Sequence, residues 1–217
     1  MKRIKLILIS GLLLLCLLSG FAINGASAAE NSKLYDYPKD GFSIRILTSM
    51  REIPSEVIKE YVEYLHANFP NTRAENYNYG FQLKSSKNWF EYPYILIQVK
   101  NQNRISSSEL KKLKQVNTQQ LSKKAQDKLD DNLGGVVSNV NFNEMVYDPI
   151  NQIVWMRFKM TVQGSGNVVG ISGMCLTEVG WIQVNCYCRE SETKLYQGIF
   201  EDIIRSVQIA NQLKYKG

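Results

Sequence analysis

A single histidine, His66, serves the whole 217-residue chain, and cysteine (4) and proline (5) are also scarce. One imidazole excludes zinc centres that need two or three histidines. A cysteine–histidine nucleophile would require His66, which follows Leu65 in a helical pattern, to meet the distant Cys175, Cys186 or Cys188, and a surface or core-edge histidine is the simpler reading. Low-complexity tracts and internal repeats are absent, which excludes solenoids and fibrous arrays. Gly164-Ser165-Gly166 is followed by neither a lysine nor a helix start, so it reads as a hairpin turn and not a phosphate loop. Asp148-Pro149-Ile150-Asn151 has turn chemistry without the run of oxygen ligands that calcium requires. The acidic pairs Asp130-Asp131 and Glu190/Glu192 fall at a helix end and a helix start, and the helix dipole accounts for acids at the latter. No catalytic residue, metal site or cofactor is assigned on these grounds.

What is present begins with a leader. Met1-Lys2-Arg3-Ile4-Lys5 is a short basic start, Leu6 to Leu18 is almost purely apolar, and Ala26-Ser27-Ala28 supplies the small residues a signal peptidase accepts. Residues 1–28 are therefore expected to be a signal peptide and residues 29–217 a single exported domain, periplasmic or extracellular. The alternative is an uncleaved membrane anchor, since Ile4 to Ile23 approaches the ~20 apolar residues that span a bilayer; Ser19, Gly20 and Asn24 break its far end. Cys16 lies inside the apolar run and not at the cleavage point, which excludes a lipoprotein. Removing 28 of 217 residues leaves 189, and losing Lys2, Arg3 and Lys5 lowers the formal charge from +6 to +3. So mild a charge carries no nucleic-acid footprint.

The coarse pattern runs as follows. Phe42, Ile44 and Ile46 alternate as a strand after a polar, Tyr-bearing lead-in, and Pro54-Ser55 open a helix with apolar residues from Val57 to Phe69, closed by Asn68 and Pro70. Tyr77, Tyr79, Phe81 and Leu83 alternate on a second strand, with Tyr92 to Val99 as a third. Ser106 and Glu109 resemble a capping box for a Lys- and Gln-rich helix to about Asp131, stopped by Gly134-Gly135. Its apolar stripe drifts after Val116, which predicts a kink or a break near Asn117, and its lysines, spread round the cylinder, read as a solvated face. Val136–Met145, Ile153–Val162, Val168–Thr177 and Trp181–Arg189 form a four-strand meander, followed by a helix over about Glu192–Val207 with Leu195, Ile199, Phe200, Ile203 and Ile204 on one side. With Val179-Gly180 as the turn, Cys175 stands opposite Val184, and Cys175, Cys186 and Cys188 share a core face as small buried hydrophobes. A diagonal Cys175–Cys186 bridge would be strained. The sum is an α+β domain, an antiparallel meander packed by helices.

The Gly41-Phe42-Ser43-Ile44 strand after a Tyr-rich lead-in, the following helix and meander, and the closing Phe200-Glu201-Asp202-Ile203-Ile204-Arg205-Ser206-Val207 segment resemble the PsbP-like superfamily. That group includes extrinsic photosystem subunits, Ran-binding Mog proteins and exported bacterial DcrB-like proteins. The chain departs from it in lacking a proline soon after the first strand. The resemblance implies an α-β-α sandwich and a non-enzymatic binding role.

Aromatic residues supply the one candidate site. Trp89 and Phe90 sit in the polar loop after Ser85-Ser86-Lys87-Asn88, with Tyr92 at its edge. Tyr and Trp combine contact area with a polar tip, which suits an interface. Trp89 and Phe90 are therefore expected to be exposed at the centre of a surface, with Tyr92 at its edge, that binds a protein partner or small ligand, with membrane contact only if the leader stays uncleaved. Tyr79, Phe81 and Tyr94 read as core. The alternatives are a thiol-dependent or hydrolytic enzyme whose site is assembled only in three dimensions, and a membrane-anchored envelope structural protein.

Overall fold

A computed structural model describes residues 31–68, 76–113, 116–133 and 136–216. The leader lies outside the described residues, as do Phe69, Pro70, Gly134-Gly135 and the side chains of His66 and Asp131. Among the described residues ten strands and four α-helices follow in order: β1 Ser32–Tyr37, β2 Phe42–Leu47, β3 Met50–Glu52, α1 Ser55–Asn68, β4 Tyr79–Leu83, β5 Tyr94–Lys100, α2 Ser107–Leu113, α3 Thr118–Leu133, β6 Val137–Asp148, β7 Ile153–Val162, β8 Gly166–Leu176, β9 Trp181–Arg189, α4 Thr193–Arg205 and β10 Gln208–Ile209. Among the described residues no helix is long and apolar enough to cross a membrane.

Two antiparallel sheets result, a small one ordered β1-β2-β10 and a large one ordered β3-β4-β5-β9-β8-β7-β6. The meander of β6 to β9 is the large sheet's second half, as short turns require of consecutive strands. The main core lies between one face of the large sheet and a cover made by the small sheet and α4: Phe42, Ile44 and Ile46 meet Ile95, Ile97, Ile171, Val184 and Cys186, with Phe200, Ile203 and Ile204 from the helix. Helix α4 comes so close to β8 that a Cβ on Gly173 would stand 2.2 Å from the Ile204 Cγ2. The opposite face carries α1 near β4, through the buried Ile58 and Val62. It also carries α2, whose Leu110 packs with Val154, Leu176 and Tyr215.

Helix caps follow the side chains. The Ser106/Glu109 box forms, with Glu109 N donating to Ser106 Oγ at 3.3 Å and Ser106 N to Glu109 Oε2 at 2.8 Å. The expected break falls at Asn117, whose Oδ1 accepts from the amides of Gln119 (3.0 Å) and Gln120 (3.1 Å) and so starts α3 afresh. Helix α3 then lies along the free edge of β6: Ser122 Oγ accepts from Phe142 N and Gln126 Oε1 from Val140 N, both at 2.8 Å. An edge strand so covered is closed to further pairing.

Four local expectations need correction. The β8–β9 loop spans four residues and not two, pairing Leu176 with Trp181 and Cys175 with Ile182, not with Val184. Thr177 Oγ1, accepting from Gly180 N, and Leu213 O, accepting from Glu178 N, hold the wider loop. Because the slip is two residues, the cysteines keep their core face; all three are free and buried. Leu195 is 49% exposed, and Tyr196 takes its place on the packed side of α4. The polar lead-in is itself a strand, β1. Tyr77 precedes β4 and so escapes its alternation, hydrogen-bonding Tyr187 on the outer face.

Candidate functional site: an aromatic row across the outer sheet face

One transverse row takes a residue from every strand of the large sheet: Arg51, Gln82, Tyr94, Tyr187, Gly170, Phe158 and Phe142. All lie on the face turned away from the main core. The rings follow one another closely. Tyr94 and Tyr187 are 5.1 Å apart, Tyr187 and Phe158 6.2 Å, and Phe158 and Phe142 5.5 Å. Gly170 interrupts the rings in sequence but not in space, because Phe158 lies over it and a Cβ there would stand 2.2 Å from the Phe158 Cζ.

The loop bearing the predicted site residues is fastened to the other end of this row. The fully buried Gln82 donates through Nε2 to Asn88 O at 3.0 Å and accepts at Oε1 from Phe90 N at 2.8 Å. Glu91 accepts from Lys87 N and Asn88 Nδ2, and these bonds hold its carboxyl below the usual range. Arg51 donates to Ser86 O at 3.0 Å and lays its guanidinium 4.5 Å from the Trp89 ring centroid. The backbone at Phe90 adopts φ +62°, an uncommon conformation for a bulky residue that these surrounding bonds fix in place.

Phe90 and Tyr92 both meet Tyr94, whereas the Trp89 ring packs with Arg51 and with neither of them. Trp89 is 37% exposed, with Arg51 against its ring. Phe90 is not fully exposed as expected: it is half-buried, stacked on Tyr61 of α1 at 4.3 Å and edge-on to Tyr94 at 6.0 Å. Tyr92 is half-buried, stacked on Tyr94 at 5.2 Å, with the Arg189 guanidinium 6.0 Å from its ring. Tyr94 is buried, as anticipated. The sequence reading missed Tyr187, Phe158, Phe142, Gln82 and Arg51, which only strand register unites, and Tyr61, which the packing of α1 brings to Phe90.

The phenols of the site are uncharged beside the guanidinium groups of Arg51 and Arg189. Burial pushes the Tyr61 phenol up to about 12 and those of Tyr94 and Tyr187 well above the ordinary value, and it raises Tyr92 as well. These hydroxyls stay protonated at physiological pH, able to donate and accept hydrogen bonds but not to act as bases. Next to the row, Ser172 Oγ donates to Asn185 Oδ1 at 2.8 Å, while Gln183 Nε2 donates to Ser172 Oγ at 3.1 Å and to Asn185 Oδ1 at 2.9 Å. Burial drives Cys175 up to about 12, Cys188 to about 11 and Cys186 well above the usual thiol range, so these thiols hold their protons at neutral pH. Among the described residues no group of three His, Cys, Asp or Glu side chains gathers for a metal.

No protein-family model and no curated protein matches the chain. Among solved structures it is similar to the solution structure of cyanobacterial PsbP (CyanoP) from Synechocystis sp. PCC 6803, with a TM-score of 0.55, covering 87% of this chain and 97% of that one. At 9% identity the likeness is one of fold. The fold is PsbP-like, in agreement with the resemblance read from the sequence.

Proposed function

We propose that this chain is an exported, non-enzymatic binding domain that recognises a protein partner or small ligand through Trp89, Phe90 and Tyr92 at the end of the aromatic row. Export rests on the leader pattern of residues 1–28. The observation that carries the binding reading is the fastening of the loop. Gln82 and Arg51 tie it to the sheet, Glu91 braces it from within, and Trp89 remains 37% exposed. A large aromatic presented on a fixed backbone loses little conformational freedom on binding, the property that makes such residues interface anchors. Phe90 and Tyr92 set the platform, and Trp89 makes the outermost contact.

A photoreactive phenylalanine analogue placed at Trp89 in producing cells tests this reading, with the same analogue at the exposed Leu195 as control. The expected result is a discrete adduct from position 89 that is absent from position 195. Equal or absent adducts at both positions contradict it.

A further inference from the structure

A cleft of about 710 Å³ opens where the β1–β2 hairpin, the β6–β7 turn and the C-terminal segment meet. Asp36, Ser43 and Gln208, aligned across the small sheet, contribute to its lining. So does β10, the edge strand of that sheet. Ala210 N donates to Gly41 O at 2.9 Å. Hydrogen-bonded and non-bonded pairs alternate along an antiparallel ladder. Ile209, one position back and opposite Phe42, therefore turns its amide and carbonyl away from β2. Val207 shares that phase; its N–H is taken by Ile204 O, and its carbonyl points outward. Among the described strands none pairs with this edge.

The side chains around this edge carry matching chemistry. Gln208, Asn211 and Gln212 are exposed, and no hydrogen bond engages their carboxamides among the described residues. Across the cleft, Asn151 spends its amide nitrogen on Asp148 and Gln152 on Tyr215 O, which leaves a carbonyl oxygen on each. A carboxamide offers the donor and acceptor pair of a peptide group. Ile150, beside Asn151 on the same turn, is 90% exposed and offers an apolar contact.

We propose that this cleft binds an extended polypeptide segment, which adds as a fourth strand to the small sheet along β10. Strand addition takes its affinity from main-chain hydrogen bonds to a free edge, and the Ile209 amide and carbonyl with the Val207 carbonyl supply that edge. The cleft's volume falls in the ordinary range for ligand sites, roughly 300–1,000 Å³. A sugar-like ligand would use the carboxamides but has no need of a strand edge, and on that difference the peptide is preferred. This site is independent of the aromatic row.

The test selects octapeptides from a random displayed library on the full chain, with a Gln208→Ala/Asn211→Ala/Gln212→Ala variant for counter-selection. All three positions are exposed, so the variant keeps its fold, which circular dichroism checks. The selected peptides, made synthetically, are added to the isotope-labelled protein, and amide exchange is followed residue by residue. Exchange at Ile209 should slow at least tenfold, and peptide affinity should fall at least tenfold in the triple variant. Failure to recover peptides, or recovery of peptides that leave Ile209 exchange unchanged, overturns the proposal. Equal protection of Ile209 by maltohexaose also overturns it, by showing that the cleft reads hydroxyls and not a peptide backbone.

Discussion

Phe158 lies directly over Gly170, its ring occupying the space where any other residue would place a side chain. The absent Cβ lets the aromatic row pass from β9 to β7 across β8 without a step, so that Tyr187 and Phe158 come within 6.2 Å. The glycine is therefore part of the row.

Gly170→Ala should displace the Phe158 ring and destabilise the fold by about 1–3 kcal/mol, the range for an overpacked contact. Phe158→Ala removes the clash. The double variant should then be less destabilised than the sum of the two single changes, because residues in contact are coupled. Denaturant unfolding of the three variants measures this.

Ile203→Ala should cost about 2–5 kcal/mol, since Ile203 is buried in the core between α4 and the sheets. A chemical melt reads the change directly.

The break between α2 and α3 is held by the Asn117 side chain. Asn117→Ala should lower stability by about 0.5–2 kcal/mol, whereas Asn117→Asp or Asn117→Ser should retain most of it. The ordering of the three variants in thermal melts is the check.

Alkaline pH should destabilise the fold through the outer-face tyrosines. Their phenols are raised by burial, to about 12 for Tyr61. In the unfolded chain they ionise near the ordinary value of about 10. Below that value both states hold the proton and the stabilisation is complete. Above it the unfolded chain loses protons that the native state retains, so stability falls as pH climbs from about 10 through 12. Denaturant midpoints taken between pH 8 and 12 should be level at first and then decline.

Much of the fold was legible because local signals were strong. The Asn117 break showed in a drifting apolar stripe, the meander in its turn residues, and the face shared by Cys175, Cys186 and Cys188 in simple alternation. Strand β1 was hidden by Ser32, Lys33 and Asp36, polar residues on an edge strand whose tyrosines alone turn toward the core. Strand β3, three residues long, is too short for any periodicity. The β8–β9 register was missed by two residues because Thr177 and Leu213 together stabilise a wider loop than its glycine suggests. The candidate site was legible only as the Trp89–Tyr92 cluster. Its continuation through Tyr187, Phe158 and Phe142 depends on the pairing of β5 with β9, a contact between strands far apart in the chain that no local pattern encodes.

In the binding reading the fold presents Trp89 without needing it. The test is the denaturant midpoint of Trp89→Ala compared with that of Phe90→Ala. Trp89 gives up its cation–π contact with Arg51, about 0.5–1 kcal/mol at an exposed site, and the burial of the covered part of its ring. Phe90 gives up its packing on Tyr61 and Tyr94, about 1–3 kcal/mol. A near-native midpoint is expected for Trp89→Ala and a clearly lower one for Phe90→Ala. A loss of several kcal/mol on removing Trp89 would contradict it, by making that ring a structural element of the loop and not a surface held ready for a partner.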